Sequence, residues 1–230
     1  MSKNPIIGVV VALAVLGAPL ATANPFYLHL LIMVLFSTLL GGAWNLLGGF
    51  SGQVSFGHSA FLGIGAYATM LLYLKLGWSP WLGMLIGGAL ASLIAVPIGL
   101  ICFRLRGPYF SLATLAVAEI VRLVALNWEN LTAGPQGLLI THLPELHLFG
   151  HAIDWETKLP FYYVIAVLTL LGMGVTFFVS QSRLGAYLLA VREDIDSAEA
   201  AGIDTVRTRV VALALSAALV GLAGGFYGLY

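Results

Sequence analysis

Charge is what this chain has least of. Ten Lys and Arg and ten Asp and Glu among 230 residues make it 9% charged, where a soluble domain carries roughly 25%. The net charge is zero, so the basic surface that nucleic acid requires is missing and nucleic acid is excluded as a partner. There is one cysteine, Cys102, which rules out an internal disulfide and a cysteine metal cluster. The chain contains no Gly-Lys pair, so it has no GxxxxGK[ST] phosphate loop and is not expected to bind nucleotide or its Mg itself. No carboxylate, histidine or cysteine constellation stands near a membrane face, so catalytic residues are not expected. His142, His147 and His151 lie in one loop with no accompanying carboxylate pattern. They are read as solvated loop histidines, and no metal site is assigned.

What the chain has is apolar length. Hydrophobic residues are 60%, the mean hydropathy is +0.99, and 27 residues are glycine. A spanning helix needs about 20 mostly apolar residues. Seven segments qualify, at 6–23, 26–47, 59–74, 80–103, 110–127, 160–180 and 210–230. The expected fold is an all-α polytopic transmembrane bundle, a single domain over 1–230. Pro25, Pro80 and Pro160 each open a span, where proline suits a first helical turn. With the N-terminus cytoplasmic, Lys3, Arg104, Arg106, Arg183, Arg192, Arg207 and Arg209 are all inside, while Lys75 and Lys158 are outside. That is the bias expected of cytoplasmic loops. The first segment has a second reading. Lys3, an apolar core and Ala21-Thr22-Ala23 resemble a signal peptide cleaved after Ala23. The chain stops at Tyr230 inside or at the end of a span, and we expect a truncated product.

The stretch GGFSGQVSFGHSAFLGIGAY, 48–67, is polar and glycine-rich between two apolar runs. Irregular backbone at membrane depth survives only inside a bundle or beside a water-filled cavity. It is expected to be a broken or re-entrant segment entering from the cytoplasmic side. Asn45, Ser51, Gln53, Ser55 and His58 could replace the water shell of a small polar solute, and helix N-termini at the break would favour a carboxylate. The structural alternative stands beside it: glycines for tight packing, polar side chains satisfying freed backbone. Glu119 and Arg122 lie three apart within the fifth span, on one face. A buried ion pair locking helix packing is the simpler reading; Glu119 beside a solute ammonium is the sharper one.

The loop 181–209 holds an amphipathic helix over about 185–201, with Leu184, Leu188, Val191, Ile195, Ala198 and Gly202 on one stripe. Its polar face carries Arg192, Glu193, Asp194, Asp196 and Glu199, and Gly202 can cap it. Surface-binding helices favour lysine toward anionic lipid, so docking onto another protein is preferred over the lipid surface. Gly221, Gly224, Gly225 and Gly228 form overlapping GxxxG pairs, a close-packing face whose partner the sequence does not name.

The segments GQVSFGHSAFLGIGAY, RLRGPYFSLATLAVAEIVRL, TAGPQGL and SRLGAYLLAVREDIDSAEAAGI, in this order, resemble the permease subunits of branched-chain amino-acid ABC importers, LivM type. The resemblance runs from about Asn45 to Tyr230. It implies a permease in a bacterial inner membrane. It also implies a homologous second permease, two cytoplasmic ATPase subunits that bind ATP and Mg, and an extracytoplasmic solute-binding protein. The loop helix becomes the coupling helix, with Arg183, Gly185, Arg192, Glu193, Asp194, Ala198 and Gly202 matching. The broader importer pattern, Glu-Ala-Ala with a glycine four residues on, is not met, because Gly202 follows Glu199-Ala200-Ala201 at once. Related permeases carry urea or short amides. A stand-alone ion-coupled transporter or channel is the competing reading; only Glu119 and Arg122 offer it ionisable groups within spans. An integral membrane enzyme lacks a site.

Overall fold

The computed structural model describes residues 13, 15–21, 24–140, 147–148, 151–152 and 158–230. Most of the expected first span, 6–23, and with it the signal-peptide reading, lies outside the described residues, as does His142. Among the described residues six helices are long and apolar enough to cross a membrane: α1 (Pro25–Gly48), α2 (His58–Leu76), α3 (Pro80–Cys102), α4 (Pro108–Asn127), α5 (Leu159–Gln181) and, after two shorter ones, α8 (Thr205–Leu229). They overlie six of the seven expected spans. The shorter helices are α6 (Arg183–Glu193) and α7 (Ile195–Ala200). Between α4 and α5 lie a single helical turn, Glu129–Thr132, and a two-residue antiparallel strand pair that includes His147 and His151.

Local chemistry sets the helix ends. Pro25, Pro80, Pro108 and Pro160 fill first-turn positions of α1, α3, α4 and α5, where the missing N–H is not needed. Asn24 caps α1 by accepting from Phe26 N at 2.9 Å, and Asp204 caps α8 by accepting from Arg207 N at 2.9 Å. Both satisfy orphan N–H groups of a first turn. These ends alternate between two faces of the bundle. One face carries 49–57, 103–107 and 182–204, with most of the arginines; we call it the basic end.

α8 is the axis of the fold. It packs on α3, α2 and α1, and 67% of its most apolar stretch is buried, against 11% for α4. Apolar attraction between helices is absent in lipid, so close van der Waals fit decides packing. The glycine face of α8 meets this chain's own α2 and α3, which answers what the GxxxG pairs are for. A Cβ on Gly224 would lie 2.0 Å from the Leu62 carbonyl oxygen, and one on Gly221 would lie 3.0 Å from Gly88 Cα. Gly225 faces Thr69 and Met84, and Gly228 faces Met70. Toward the basic end the core gathers Leu46, Leu47, Phe61, Phe110, Leu188 and Leu213; toward the far end it gathers Ile32, Phe36, Tyr162, Ile165 and Phe226.

Candidate functional site

The polar segment is a loop, 49–57, between α1 and α2. It climbs from the basic end into the bundle. At its start, Ser51 is buried and bonds back to Leu47 O at 2.7 Å. At its end, the Phe56 amide donates to Thr114 Oγ1 at 3.1 Å, and Ser111 Oγ donates to Val54 O at 2.6 Å. The freed backbone is thus satisfied by hydroxyls of α4. The Trp44 indole donates to Ser55 O at 2.9 Å. His58, first residue of α2, reaches Ser216, which stands about three turns, roughly 16 Å, into α8.

The hydrogen-bond directions around His58 follow from counting protons. Ser216 Oγ donates its single proton to Ala43 O at 2.5 Å. It must therefore accept from His58 Nε2–H, 2.8 Å away. His58 Nδ1 is then an acceptor, and Ser55 Oγ donates to it at 3.2 Å while accepting the Gly57 amide, also at 3.2 Å. One directed chain runs Gly57, Ser55, His58, Ser216, Ala43 and joins α1, α2 and α8. Ser55 and His58 thus face protein. Asn45 is exposed near the end of α1 and Gln53 is half-buried. Neither side chain has a hydrogen-bond partner among the described residues, so these two, with Glu119 and Arg122, keep polar atoms free.

Glu119 and Arg122 form a bidentate pair, Nε to Oε2 at 2.8 Å and Nη2 to Oε1 at 2.5 Å. The expectation of burial is corrected: their side chains are 50% and 58% exposed. The reason is that no other described helix covers that face of α4. A single charge at mid-membrane costs about 2.5–3.5 kcal/mol on insertion scales. Pairing relieves much of that cost, and the uncovered face must meet protein or water.

The loop 182–204 differs from the single helix expected over 185–201. It is two helices broken at Asp194, which sits in extended geometry with φ −158°. Asp194 Oδ1 accepts the Ser197 amide at 2.6 Å and restarts the helix as α7. The Ser197 hydroxyl, and after it that amide bond, hold the Asp194 carboxyl below its usual range. The apolar stripe still points inward: Gly185, Leu188, Val191 and Ala198 are buried. Gly185 lies so close to Val179 O that a Cβ would sit 2.3 Å away. Gly202, at φ +85°, caps the segment, with its amide on Glu199 O at 2.9 Å and the Ile203 amide on Ala198 O at 3.0 Å. Arg183 and Glu193 are exposed.

Arg192 does not simply point to solvent, as the polar-face reading had it. Its Nη1 donates to Gly49 O at 2.9 Å, which ties α6 to the mouth of the polar loop. Asp196 pairs with Arg106 of the α3–α4 turn at 2.9 Å, and Glu199 accepts from Thr205 Oγ1 at 2.7 Å. Arg209, buried at the root of α8, stacks over Phe103 at 5.1 Å and donates to Thr205 O at 2.9 Å. The α6–α7 unit is therefore fastened to the polar loop, to the α3–α4 turn and to α8. Ser216, Thr114 and Phe103 were not singled out in the sequence, and Arg106 was read only as one of the cytoplasmic charges. A lone serine or threonine in an apolar helix gives no pattern, and only the fold reveals its partner. Among the described residues no group of histidine, cysteine and carboxylate side chains could hold a metal ion.

The family described as branched-chain amino acid transport system / permease component matches residues 7–230. The high-affinity branched-chain amino acid transport system permease protein LivM of Escherichia coli is 30% identical, over 90% of this chain and 55% of that protein. LivH, a second permease protein of the same name and organism, is 26% identical over 83% of this chain and 65% of its own length. A putative glucose ABC transporter permease of Haloferax volcanii is 26% identical over 83% of this chain and 59% of that protein. The chain spans about half the length of the LivM relatives it matches. No solved structure gives a significant match. With a polytopic helix bundle and a family match over nearly its whole length, this chain belongs to the branched-chain amino acid transport permease family.

Proposed function

We propose that this chain is a membrane subunit of an ATP-driven importer and that its basic end is cytoplasmic. In this reading it sits in a bacterial inner membrane with its N-terminus inside. It works with a homologous second permease, two ATPase subunits that bind ATP and Mg, and an extracytoplasmic solute-binding protein. The chain itself performs no catalysis. Its solutes are branched-chain amino acids, on the strength of the two Escherichia coli relatives.

The observation that carries the reading is the bond from Arg192 to Gly49 O, with Arg106 to Asp196 beside it. A helical unit at the cytoplasmic surface is joined rigidly to the loop that enters the bundle. Displacement of α6–α7 by an ATPase reaches the mouth of loop 49–57 through one hydrogen bond and reaches α4 through the α3–α4 turn. Arg183, Glu193 and Asp194 then lie on the docking side, while Gly185, Ala198 and Gly202 set the shape of the unit. Asn45 and Gln53 offer amide groups to the solute, and Ser51, Ser55 and His58 hold the loop in place.

The test uses the complete transporter in liposomes, assayed for leucine uptake and ATP turnover together. Arg192→Ala is expected to lower uptake per ATP hydrolysed while turnover persists. Unchanged uptake per ATP would remove the proposed transmission route. Competition by isoleucine and valine, but not by glucose or urea, is expected if the solute assignment holds.

A further inference from the structure

Arg209 is a costly residue where it stands. It is 3% exposed in the second turn of α8, and its guanidinium leans back onto Thr205, the first residue of that helix. A cation there opposes the helix dipole. Its Nη1 is buried with no hydrogen-bond partner among the described residues. An uncharged side chain of similar length, such as methionine, would fill the same space without these costs. The charge therefore has a purpose other than packing.

The direction of the hydrogen bonds shows what that purpose is. Nε donates to Thr205 O at 2.9 Å, and Nη2 donates to Thr205 Oγ1 at 3.2 Å. The Thr205 hydroxyl has one proton to give. It goes to Glu199 Oε1 of α7 at 2.7 Å. A threonine hydroxyl in a helix commonly turns back to its own backbone, as the neighbouring Thr208 does onto Asp204 O at 2.7 Å. At Thr205 the guanidinium takes a lone pair of the hydroxyl, and the proton is left for Glu199. Hydrogen bonds linked in this way polarise one another, and ionised ends strengthen them. A buried cation and a surface carboxylate are thus joined through one hydroxyl. Phe103 holds the guanidinium on its other side, with the ring centre 5.1 Å away.

We propose that Arg209 is a positioning residue: acting through the Thr205 hydroxyl, it fixes Glu199 and makes α7 move together with α8. The proposal rests on the importer reading and adds a second route of transmission to it. The bond from Arg192 reaches the mouth of loop 49–57. Arg209 passes displacement of α7 to the axis helix instead. Ser216, two turns or roughly 10 Å further along α8, carries it to His58 at the other end of the loop. One unit at the basic end then grips the loop at both ends.

The experiment begins with amide exchange over 195–200 in the purified chain. Thr205→Val and Arg209→Met are each expected to accelerate it about two- to tenfold, the equivalent of one net hydrogen bond. Thr205→Ser, which keeps the hydroxyl, should exchange at the wild-type rate, and Arg209→Met should keep or raise the Tm. Glu199 is exposed, so Glu199→Ala leaves the bundle folded and should match Thr205→Val. The two together should be no faster than either alone. Wild-type exchange in these variants, or additive effects, would overturn the proposal. The same variants are then assayed in the complete transporter in liposomes. Leucine uptake per ATP is expected to fall several-fold in Thr205→Val, Arg209→Met and Glu199→Ala while turnover persists, and to recover in Thr205→Ser. A parallel loss of Tm and uptake with uptake per ATP unchanged would mark a packing residue and overturn the proposal, as would faster exchange with full coupling. Absence of ATP-driven uptake in the wild-type transporter is a different failure: it refutes the importer reading, and the transmission role with it.

Discussion

Two glycines on α2, two residues apart, should respond to alanine with opposite sign. At Gly65 an added Cβ would lie 2.0 Å from Gly221 O and 2.6 Å from Gly221 C, both backbone atoms of α8. At Gly63 nothing stands within 4 Å. Gly63→Ala therefore gains only the helix-propensity term, about 0.5–1 kcal/mol in favour of folding. Gly65→Ala must push α2 and α8 apart, and overpacking costs typically ~1–3 kcal/mol or more. The far end of a flexible side chain could yield; a carbonyl in a helix cannot. The two variants should thus differ by roughly 2–4 kcal/mol, taking the gain and the cost together. On α8 itself, Gly224→Ala meets the Leu62 carbonyl at 2.0 Å and should be as harmful as Gly65→Ala, while Gly228→Ala meets side chains alone, Met70 at 3.3 Å and Ala66 Cβ at 3.6 Å, and should be mild. The double variant Gly65→Ala, Gly224→Ala should cost less than the sum, because both added Cβ atoms meet backbone across the α2–α8 pair and one widening relieves both clashes. Thermal denaturation of the detergent-solubilised chain, followed by size-exclusion fluorescence, ranks the series. Equal Tm values for Gly63→Ala and Gly65→Ala would refute the claim that backbone contact between α2 and α8 sets stability.

Two further outcomes follow from polar contacts. Ser216→Ala strands the His58 Nε2–H in the bundle at about 1–3 kcal/mol, so its Tm should fall while that of Ser216→Thr, which keeps the hydroxyl, stays near wild type. Asp194 has its folded pKa held down by Ser197, so its stabilisation of α7 is fully present above the pKa of a free aspartate, about 3.9. It is lost as pH falls through the lower folded value. Amide exchange over 195–200 should accelerate in that acid range, and Asp194→Asn should flatten the pH dependence.

Much of this architecture was legible because hydropathy and punctuation agree. Proline at a first turn and an apolar run behind it placed α1, α3 and α5 to within a few residues, and period 3.6 placed Leu188, Val191 and Ala198 on the buried face. The same period hid the break at Asp194. An aspartate on a polar face and an aspartate that caps a new helix look alike until the Ser197 amide is seen to bond to it. The clue was local: an acid just before Ile195, with a serine three residues on, is an N-terminal capping pattern as well as a solvated one. Glu119 and Arg122 were legible as a pair but not as an exposed pair, since exposure depends on which helices cover α4, and spacing within one helix says nothing about that.

The polar loop shows where residue type stops being informative. Five polar side chains in and beside one stretch, Asn45, Ser51, Gln53, Ser55 and His58, suggested a solute site, and chemistry alone could not divide them. The fold divides them by proton count. Ser51, Ser55 and His58 have their donors and acceptors committed to Leu47, Gly57, Ser216 and, through Ser216, Ala43. A solute binding there must first break bonds that join three helices, which makes these residues the frame of the site. Asn45 and Gln53 carry no such commitment, and an amide offers both donors and an acceptor. Recognition of a zwitterion needs both kinds of group. In this reading Gln53 is the discriminating position. Gln53→Ala should raise the KM for leucine uptake with little change in Tm, because no bond of the frame is lost. His58→Ala should lower Tm first, and uptake only in proportion to the folded protein that remains. If Gln53→Ala leaves KM unchanged while His58→Ala raises it at normal Tm, the assignment of frame and site is reversed.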